Sequence, residues 1–245
     1  TMTQTNMHKI LNDLKWQIEA GIDEVISDKP IVFSNEKNSR ENKKIKNVSS
    51  KSLDQFQNIN DLSNYFKNSI ECELKDISKN SINIQGNLDS EIMIISNIPS
   101  PEEDKEGKVL VGENYDLFIN ILSSINLSLN DLCIAPIIPW KTPGERELKE
   151  DEIELLIPLI EKQIEIIKPK ILILLGADPI KYLLKKDEGI LSLRGNFINY
   201  KNNKINIICL PILAPDFLIR RPEYKRETWN DLLMFREKIE ELNLL

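Results

Sequence analysis

The chain has 245 residues, of which 41% are hydrophobic, and this length and composition allow one compact domain with an extension, which is the default, or at most two small domains. The 39 acidic residues outnumber the 32 basic ones, which gives a formal net charge of −7. This charge excludes a general affinity for nucleic acid through excess lysine and arginine, so any DNA-binding surface must be local.

The cysteines and the first residues indicate a cytoplasmic protein. The three cysteines, Cys72, Cys133 and Cys209, form no C-x-x-C pair, which disfavours a disulfide framework or a zinc site. Residues 1–16 have neither the apolar stretch of a signal peptide nor the Arg-rich amphipathic pattern of a transit peptide. No apolar run reaches the length of a membrane span. We therefore expect a cytoplasmic location and no membrane partner.

Two N-terminal segments differ from the rest of the chain. Residues 1–33 have apolar side chains at helical spacing between Met7 and Ile26, which predicts an amphipathic helix that needs a partner surface. Residues 34–52 are rich in Asn, Lys and Ser and too poor in apolar residues to repay the entropy of ordering, which predicts a flexible linker. Residues 53–245 then form the compact domain. The helix either folds back on this domain or binds a partner protein.

The compact domain alternates apolar runs with helical patterns. Four apolar runs predict strands that are buried on both faces: 92–95, 132–138, 171–175 and 205–210. Helical patterns cover residues 53–69, 115–125, 150–167, 179–185 and 225–242. This alternation predicts an α/β fold, a three-layer α/β/α sandwich with a four-stranded, mostly parallel central sheet. Ligands bind such sheets at the carboxyl ends of the strands, so the loops that follow the strands are the candidate site.

These loops carry motifs in a characteristic order. The first reads S-N-I-P-S-P-E-E-D from Ser96, and the second reads P-W-K-T-P-G-E-R-E from Pro139. They are followed by I-K-P-K-I-L-I-L-L-G from Ile167 and by A-P-D-F-L-I-R-R-P-E-Y-K-R-E-T-W-N-D-L from Ala214. In this order the motifs resemble those of the iron–sulfur-type, family 4 uracil-DNA glycosylases. The N-terminal W-Q-I-E-A-G-I-D-E is similar to the leader of alphaproteobacterial members of that family.

The resemblance implies a pocket for a base that has been flipped out of DNA. Excision of uracil would require a polar group that places a water, an aromatic ring that stacks on the base, an amide that reads its edge and a donor to the departing base. The resemblance places these four roles on Asn97, Leu110, Pro136 and Ala214. Asn97 is the only candidate catalytic residue, and it is neutral. We predict a narrowed pocket that is degenerate at Ile98, Leu110, Pro136 and Ala214.

The same resemblance implies an iron–sulfur cluster, which would require four cysteine thiolates. Cys72 stands at one ligand position, whereas Trp140 and Leu156 stand at two others, and no cysteine precedes Cys72. Cys133 and Cys209 lie in predicted strands, where a buried structural thiol is the expected role. We therefore predict no cluster and no other metal site.

Basic residues in two of the loops are the candidate DNA contacts. They are Arg146, Arg220, Arg221, Lys225 and Arg226. The last four match the family's intercalation loop, and such a cluster can contact phosphates even on an acidic protein. The alternative is an ordinary solvated loop whose charges pair with Glu223 and Glu227.

Three functions remain open at this level. The leading prediction is a uracil-DNA glycosylase superfamily protein related to base-excision DNA repair that is catalytically impaired, either a pseudoenzyme or a DNA-binding module. The second is an active but rewired glycosylase that hydrolyses the N-glycosidic bond of uracil or another damaged base, which an open and polar pocket would favour. The third is a protein-interaction module that acts through the N-terminal helix.

Overall fold

A central sheet of six strands organises the computed structural model, which describes residues 53–244. The strands are β1 (Gln85–Gly86), β2 (Ile92–Ser96), β3 (Cys133–Pro136), β4 (Ile171–Leu175), β5 (Ile198–Lys201) and β6 (Asn206–Ile212). The helices of the described residues are α1 (Ile59–Ser69), α2 (Glu73–Ile77), α3 (Pro101–Glu106), α4 (Gly112–Ser124), α5 (Glu150–Ile167), α6 (Ala177–Tyr182), α7 (Ile190–Leu193), α8 (Pro215–Arg220) and α9 (Lys225–Glu241). The predicted N-terminal helix and linker lie outside the described residues.

The strand order confirms the α/β class and corrects the number of strands. The order is β1-β3-β2-β4-β6-β5, and the inner strands β3, β2, β4 and β6 are parallel. The edge strands β1 and β5 are antiparallel to their neighbours. The predicted four-stranded sheet is therefore wrong by two strands. Both edge strands are too short or too polar to stand out as apolar runs.

The parallel strands are apolar throughout because helices cover both faces of the sheet. On one face, Met93 and Ile95 of β2 join a core with α1 and α5. On the other face, Ile92 and Ile94 join a core with α4 and α9. Neighbouring residues of a strand point to opposite faces, so a strand that is covered on both sides has no polar alternation. The three-layer sandwich is confirmed.

The connections place a topological switch point between β2 and β4. The chain leaves β2 for β3 on one side, then crosses back to β4 on the other side of β2. At such a point two successive loops diverge and leave a crevice at the carboxyl ends of the strands. The loops that open this crevice begin at Asn97 and Gly176. None of the helices between residues 53 and 244 is both long enough and apolar enough to cross a membrane.

Candidate functional site

A cleft of about 250 Å³ opens at the carboxyl ends of the parallel strands. All four loops that follow these strands contribute to it, through Asn97, Thr142, Asp178 and Ala214 among others. The cleft therefore lies where the order of the strands predicts a ligand.

Asn97 is held across the switch point by a reciprocal pair of hydrogen bonds. The Asp178 N–H donates to Asn97 Oδ1 at 3.1 Å, and the Ile98 N–H donates to Asp178 Oδ2 at 2.9 Å. Gly176 makes this approach possible, because a Cβ on it would lie 2.1 Å from Asn97 Oδ1. Its φ of +106° is also in a region that side chains rarely allow. The Asn97 carboxamide is thus fixed in place, and it is a group that can orient a water but cannot take up a proton.

Aliphatic side chains form part of the cleft wall. Ile98, Leu110 and Ala214 line the cleft, whereas Pro136 lines a separate cavity of about 10 Å³. Leu110 has a left-handed backbone with φ of 54°, and its N–H donates to Glu103 Oε1. Ala214 is buried at the start of α8 and offers no side-chain donor. The wall therefore has neither an aromatic face nor a polar group at these three positions.

Carboxylates dominate the polar part of the cleft. They belong to Glu103, Glu145, Glu147, Asp178 and Asp216. Burial raises the pKa of both Glu103 and Asp178, although backbone hydrogen bonds, two to Glu103 and one to Asp178, act in the opposite direction. Sequence reasoning missed Asp178 and Asp216. Both lie in the first turn of a helix that follows a parallel strand, and an acidic residue just after a strand end is the signal that could have found them.

Arg146, a predicted DNA contact, lines the cleft and binds a protein carboxylate. Its guanidinium donates to both oxygens of Glu152, at 2.7 and 2.6 Å, and Glu152 is buried. Burial raises the pKa of Glu152, but the hydrogen bonds from Arg146 and from the Lys149 N–H outweigh it, and the pKa is lowered overall. The pair ties the loop after β3 to the first turn of α5.

The other predicted DNA contacts lie together where α8 meets α9. Arg220 pairs with Asp216 at 2.7 Å and Arg221 pairs with Glu223 at 3.6 Å, and both pairs are largely exposed. Lys225 and Arg226 are exposed, and no carboxylate of residues 53–244 lies within 4 Å of their charged groups. Exposed ion pairs are weak, so phosphates could compete for these side chains.

The comparison with protein families decides the fold family. The model of the Uracil DNA glycosylase superfamily matches residues 84–233, which contain the whole sheet and the cleft. The chain belongs to the uracil-DNA glycosylase superfamily.

Relatives named type-4 uracil-DNA glycosylase support the resemblance to family 4. The protein from Saccharolobus solfataricus is 32% identical over 173 residues, which cover 69% of this chain and 80% of the relative. The protein from Sulfurisphaera tokodaii is 29% identical and covers 68% and 78%, respectively. The protein from Pyrobaculum aerophilum is 26% identical and covers 69% and 88%.

The cysteines of this glycosylase-like chain do not fit an iron–sulfur cluster. Cys72, Trp140 and Leu156 are buried in one apolar core, so the packed side chains of Trp140 and Leu156 fill two of the implied ligand positions. Cys133 in β3 and Cys209 in β6 are separated by two strands, which places them about 14 Å apart. Burial raises the pKa of each of these two thiols to about 12. Four neighbouring thiolates are required, and the described residues do not provide them.

Proposed function

We propose that this protein is a member of the uracil-DNA glycosylase superfamily that acts on DNA. We propose further that it does not excise uracil by the chemistry that the family resemblance implies. The observation that carries the proposal is the cleft wall, which is aliphatic at Leu110 and Ala214. The family resemblance places a stacking ring and a leaving-group donor at these two positions. DNA as the target is supported by the superfamily and by the basic loop at the α8–α9 junction, which carries Arg220, Arg221, Lys225 and Arg226.

The expected loss of uracil excision is large. Negative charge develops on uracil as the glycosidic bond breaks, and one preorganised donor to such a charge accounts for roughly a 100- to 1000-fold rate increase. Ala214 supplies no donor, and the only histidine of the chain, His8, is far away in sequence. Leu110 offers no aromatic face for stacking. Because Asn97 is neutral, water activation is weakened as well.

An active but rewired glycosylase is the second candidate, and a specific observation favours it. The cleft is open, has a volume of about 250 Å³ and is lined by the amide of Asn97 and by several carboxylates. An entirely vestigial site would be expected to fill with apolar side chains. The retained polar cleft supports a reaction or a binding event on a base other than uracil.

The test of the proposed function is single-turnover cleavage with protein in excess over DNA. The substrates are single-stranded and duplex oligonucleotides that contain one uracil, and alkaline cleavage detects the abasic product. We expect no product above that of the Asn97→Ala variant. Efficient release of uracil that is lost on Asn97→Ala would overturn the proposed loss of uracil excision.

DNA binding is measured on the same oligonucleotides at two salt concentrations. We expect affinity that falls with salt, because phosphate contacts release counterions. The double substitution Lys225→Ala with Arg226→Ala should weaken binding and reduce the salt dependence. Lys201→Ala is the matched control, because Lys201 pairs with the start of β6, at the opposite end of the sheet from the cleft. Equal effects of the two changes would contradict a DNA contact at the basic loop.

A further inference from the structure

The charge of the cleft suits a cation better than an anion. Among residues 53–244, five carboxylates line it, and the one guanidinium that lines it, that of Arg146, is already bound to a carboxylate. Glu147 and Asp216 each pair with an exposed basic side chain. Glu103 and Asp178 have no ion-pair partner within 4 Å among residues 53–244. A positive group that entered the cleft would therefore meet two carboxylates without a direct ion-pair partner, although the more distant Lys181 acts on Asp178.

A buried hydroxyl at the base of the cleft lacks a hydrogen-bond partner. Ser96 ends β2, is 5% exposed and lines the cleft. Its Oγ has no partner among the described residues. Buried polar groups in native proteins are nearly always satisfied, so an orphan of this kind indicates a partner that the protein itself does not supply.

Asp178 is the carboxylate best placed to face a ligand. Its Oδ2 accepts the Ile98 N–H, and no described residue donates to its Oδ1. The Asn97 side chain accepts from the Asp178 N–H and so fixes the start of α6. The carboxylate is half-buried beside the ends of β2 and β4, where the surrounding protein strengthens its interaction with a charge.

We propose that the cleft binds a base that carries a positive charge, of the class of N-alkylated purines, with Asp178 facing the charged ring. This proposal rests on the DNA-directed function argued above and names its ligand. A volume of about 250 Å³ is slightly below that of typical pockets for drug-sized ligands, about 300–1000 Å³, and so suits a single base. The basic loop would hold the phosphates outside the acidic cleft.

A cationic base can leave without the donor that uracil requires. When the bond from C1′ to the ring nitrogen breaks, its electron pair moves onto the positively charged ring, and the base departs neutral. The oxygen of a water adds to C1′, and its proton passes to the Asp178 carboxylate. Water is the only co-reactant. The alanine at position 214 therefore does not block this reaction.

The experiment compares two duplexes that differ only in charge, with the full chain as the protein. One contains N7-methylguanine on a 2′-fluoro sugar, which resists cleavage, and the other contains the neutral isostere 7-methyl-7-deazaguanine on the same sugar. We expect the cationic duplex to bind about tenfold tighter or more, because only its base is attracted to the Asp178 carboxylate by a full charge, and one close charge pair near a protein surface is sufficient for that factor. Fluorescence anisotropy provides both affinities.

Asp178→Asn is the decisive variant, because asparagine can still accept the Ile98 N–H but carries no charge. It should reduce the preference for the cationic duplex to less than about threefold. Glu188→Gln is the matched control, since Glu188 is an exposed carboxylate that does not line the cleft, and it should leave the preference intact. Base release is then measured on N7-methylguanine with the natural sugar, and it should be lost in Asp178→Asn.

Each outcome bears on a separate claim. Equal affinity for the two duplexes, or a preference that Asp178→Asn leaves unchanged, would overturn the proposed ligand. A preference without base release would overturn the hydrolytic step. If neither duplex binds, the DNA-directed function fails. Titration of free 7-methylguanosine against its neutral 7-deaza isostere then decides whether the cleft selects a cation.

Discussion

Replacing Gly176 by alanine tests the architecture of the switch point. The backbone of Gly176, with φ of 106° and ψ of −172°, lies in a region that costs other residues about 1–3 kcal/mol. The new Cβ would lie 2.1 Å from Asn97 Oδ1 and would displace it from the Asp178 N–H. Loss of that hydrogen bond costs about 1 kcal/mol.

The expected destabilisation by Gly176→Ala is about 2–4 kcal/mol. For a domain of this size each kcal/mol lowers Tm by about 2–4 °C, so we expect a fall of about 4–16 °C by circular dichroism or calorimetry. Gly144→Ala is the matched control, because Gly144 has φ of 60° and no atom of the described part of the chain lies within 4 Å of its added Cβ. It carries only the left-handed backbone cost of about 1–2 kcal/mol.

Asn97→Ala separates the steric effect from the backbone effect. In the double variant with Gly176→Ala the colliding carboxamide is absent, so the two changes should be less destabilising together than their sum, by about 0.5–3 kcal/mol. A Tm of Gly176→Ala within about 2 °C of the parent would refute the reasoning. Strict additivity in the double variant would show that Asn97 is not the group that meets the new Cβ.

Three further predictions concern stability. Arg146→Ala leaves the Glu152 carboxylate buried without its partner, so it should lower the free energy of unfolding, measured by urea denaturation, by about 3 kcal/mol. Arg236→Ala, which breaks an exposed pair, should lower it by less than about 1 kcal/mol. Trp140→Ala should lower the free energy of unfolding by about 3–5 kcal/mol, because the Trp140 side chain is 2% exposed. Growth of the expression host without added iron should leave the Tm of the unsubstituted protein unchanged. Burial raises the pKa of Asp104, but hydrogen bonds from two backbone N–H groups and Lys141 lower it overall, below its ordinary 3.8. Its contribution to stability is therefore full above pH 3.8 and is lost as the pH falls further, and Asp104→Asn should flatten the acid limb of the Tm profile.

The pattern of apolar residues was sufficient to predict the most deeply buried strands and helices. The strand predicted at 171–175 and the helix predicted at 150–167 have the bounds that the structure gives them. The strand predicted at 132–138 is shorter in the structure, Cys133–Pro136, although the apolar burial continues beyond it. Where burial rather than strand pairing creates the pattern, the pattern cannot mark the end of a strand.

Elements at the edges of the fold were missed for a different reason. The edge strand β5 reads I-N-Y-K, and only Tyr200 of its residues is buried. The helices α3 and α8 have six residues each, which is less than two turns and too few to display a 3.6-residue period. Their positions depend on tertiary contacts, such as the capping box of Ser100 and Glu103 at the start of α3.

The candidate site could be predicted in part, because position after a strand is a local property. Asn97, Ile98, Leu110 and Ala214 all line the cleft. Asp178 was missed, because its importance depends on the approach of Asn97 from another strand, 81 residues away. The pairing of Arg146 with Glu152 was also missed, although it joins residues only six apart. That pair depends on how the loop after β3 turns before α5 begins.

Apolar packing joins the three elements in which the family resemblance implies cluster ligands. A cluster would hold α2, the loop after β3 and α5 together through metal–thiolate bonds. In this chain Cys72, which directly precedes α2, lies in a single apolar core with Trp140 of the loop after β3 and Leu156 of α5. Burial of a large apolar side chain stabilises the folded state by about 1.5–3 kcal/mol, so this packing holds the three elements together.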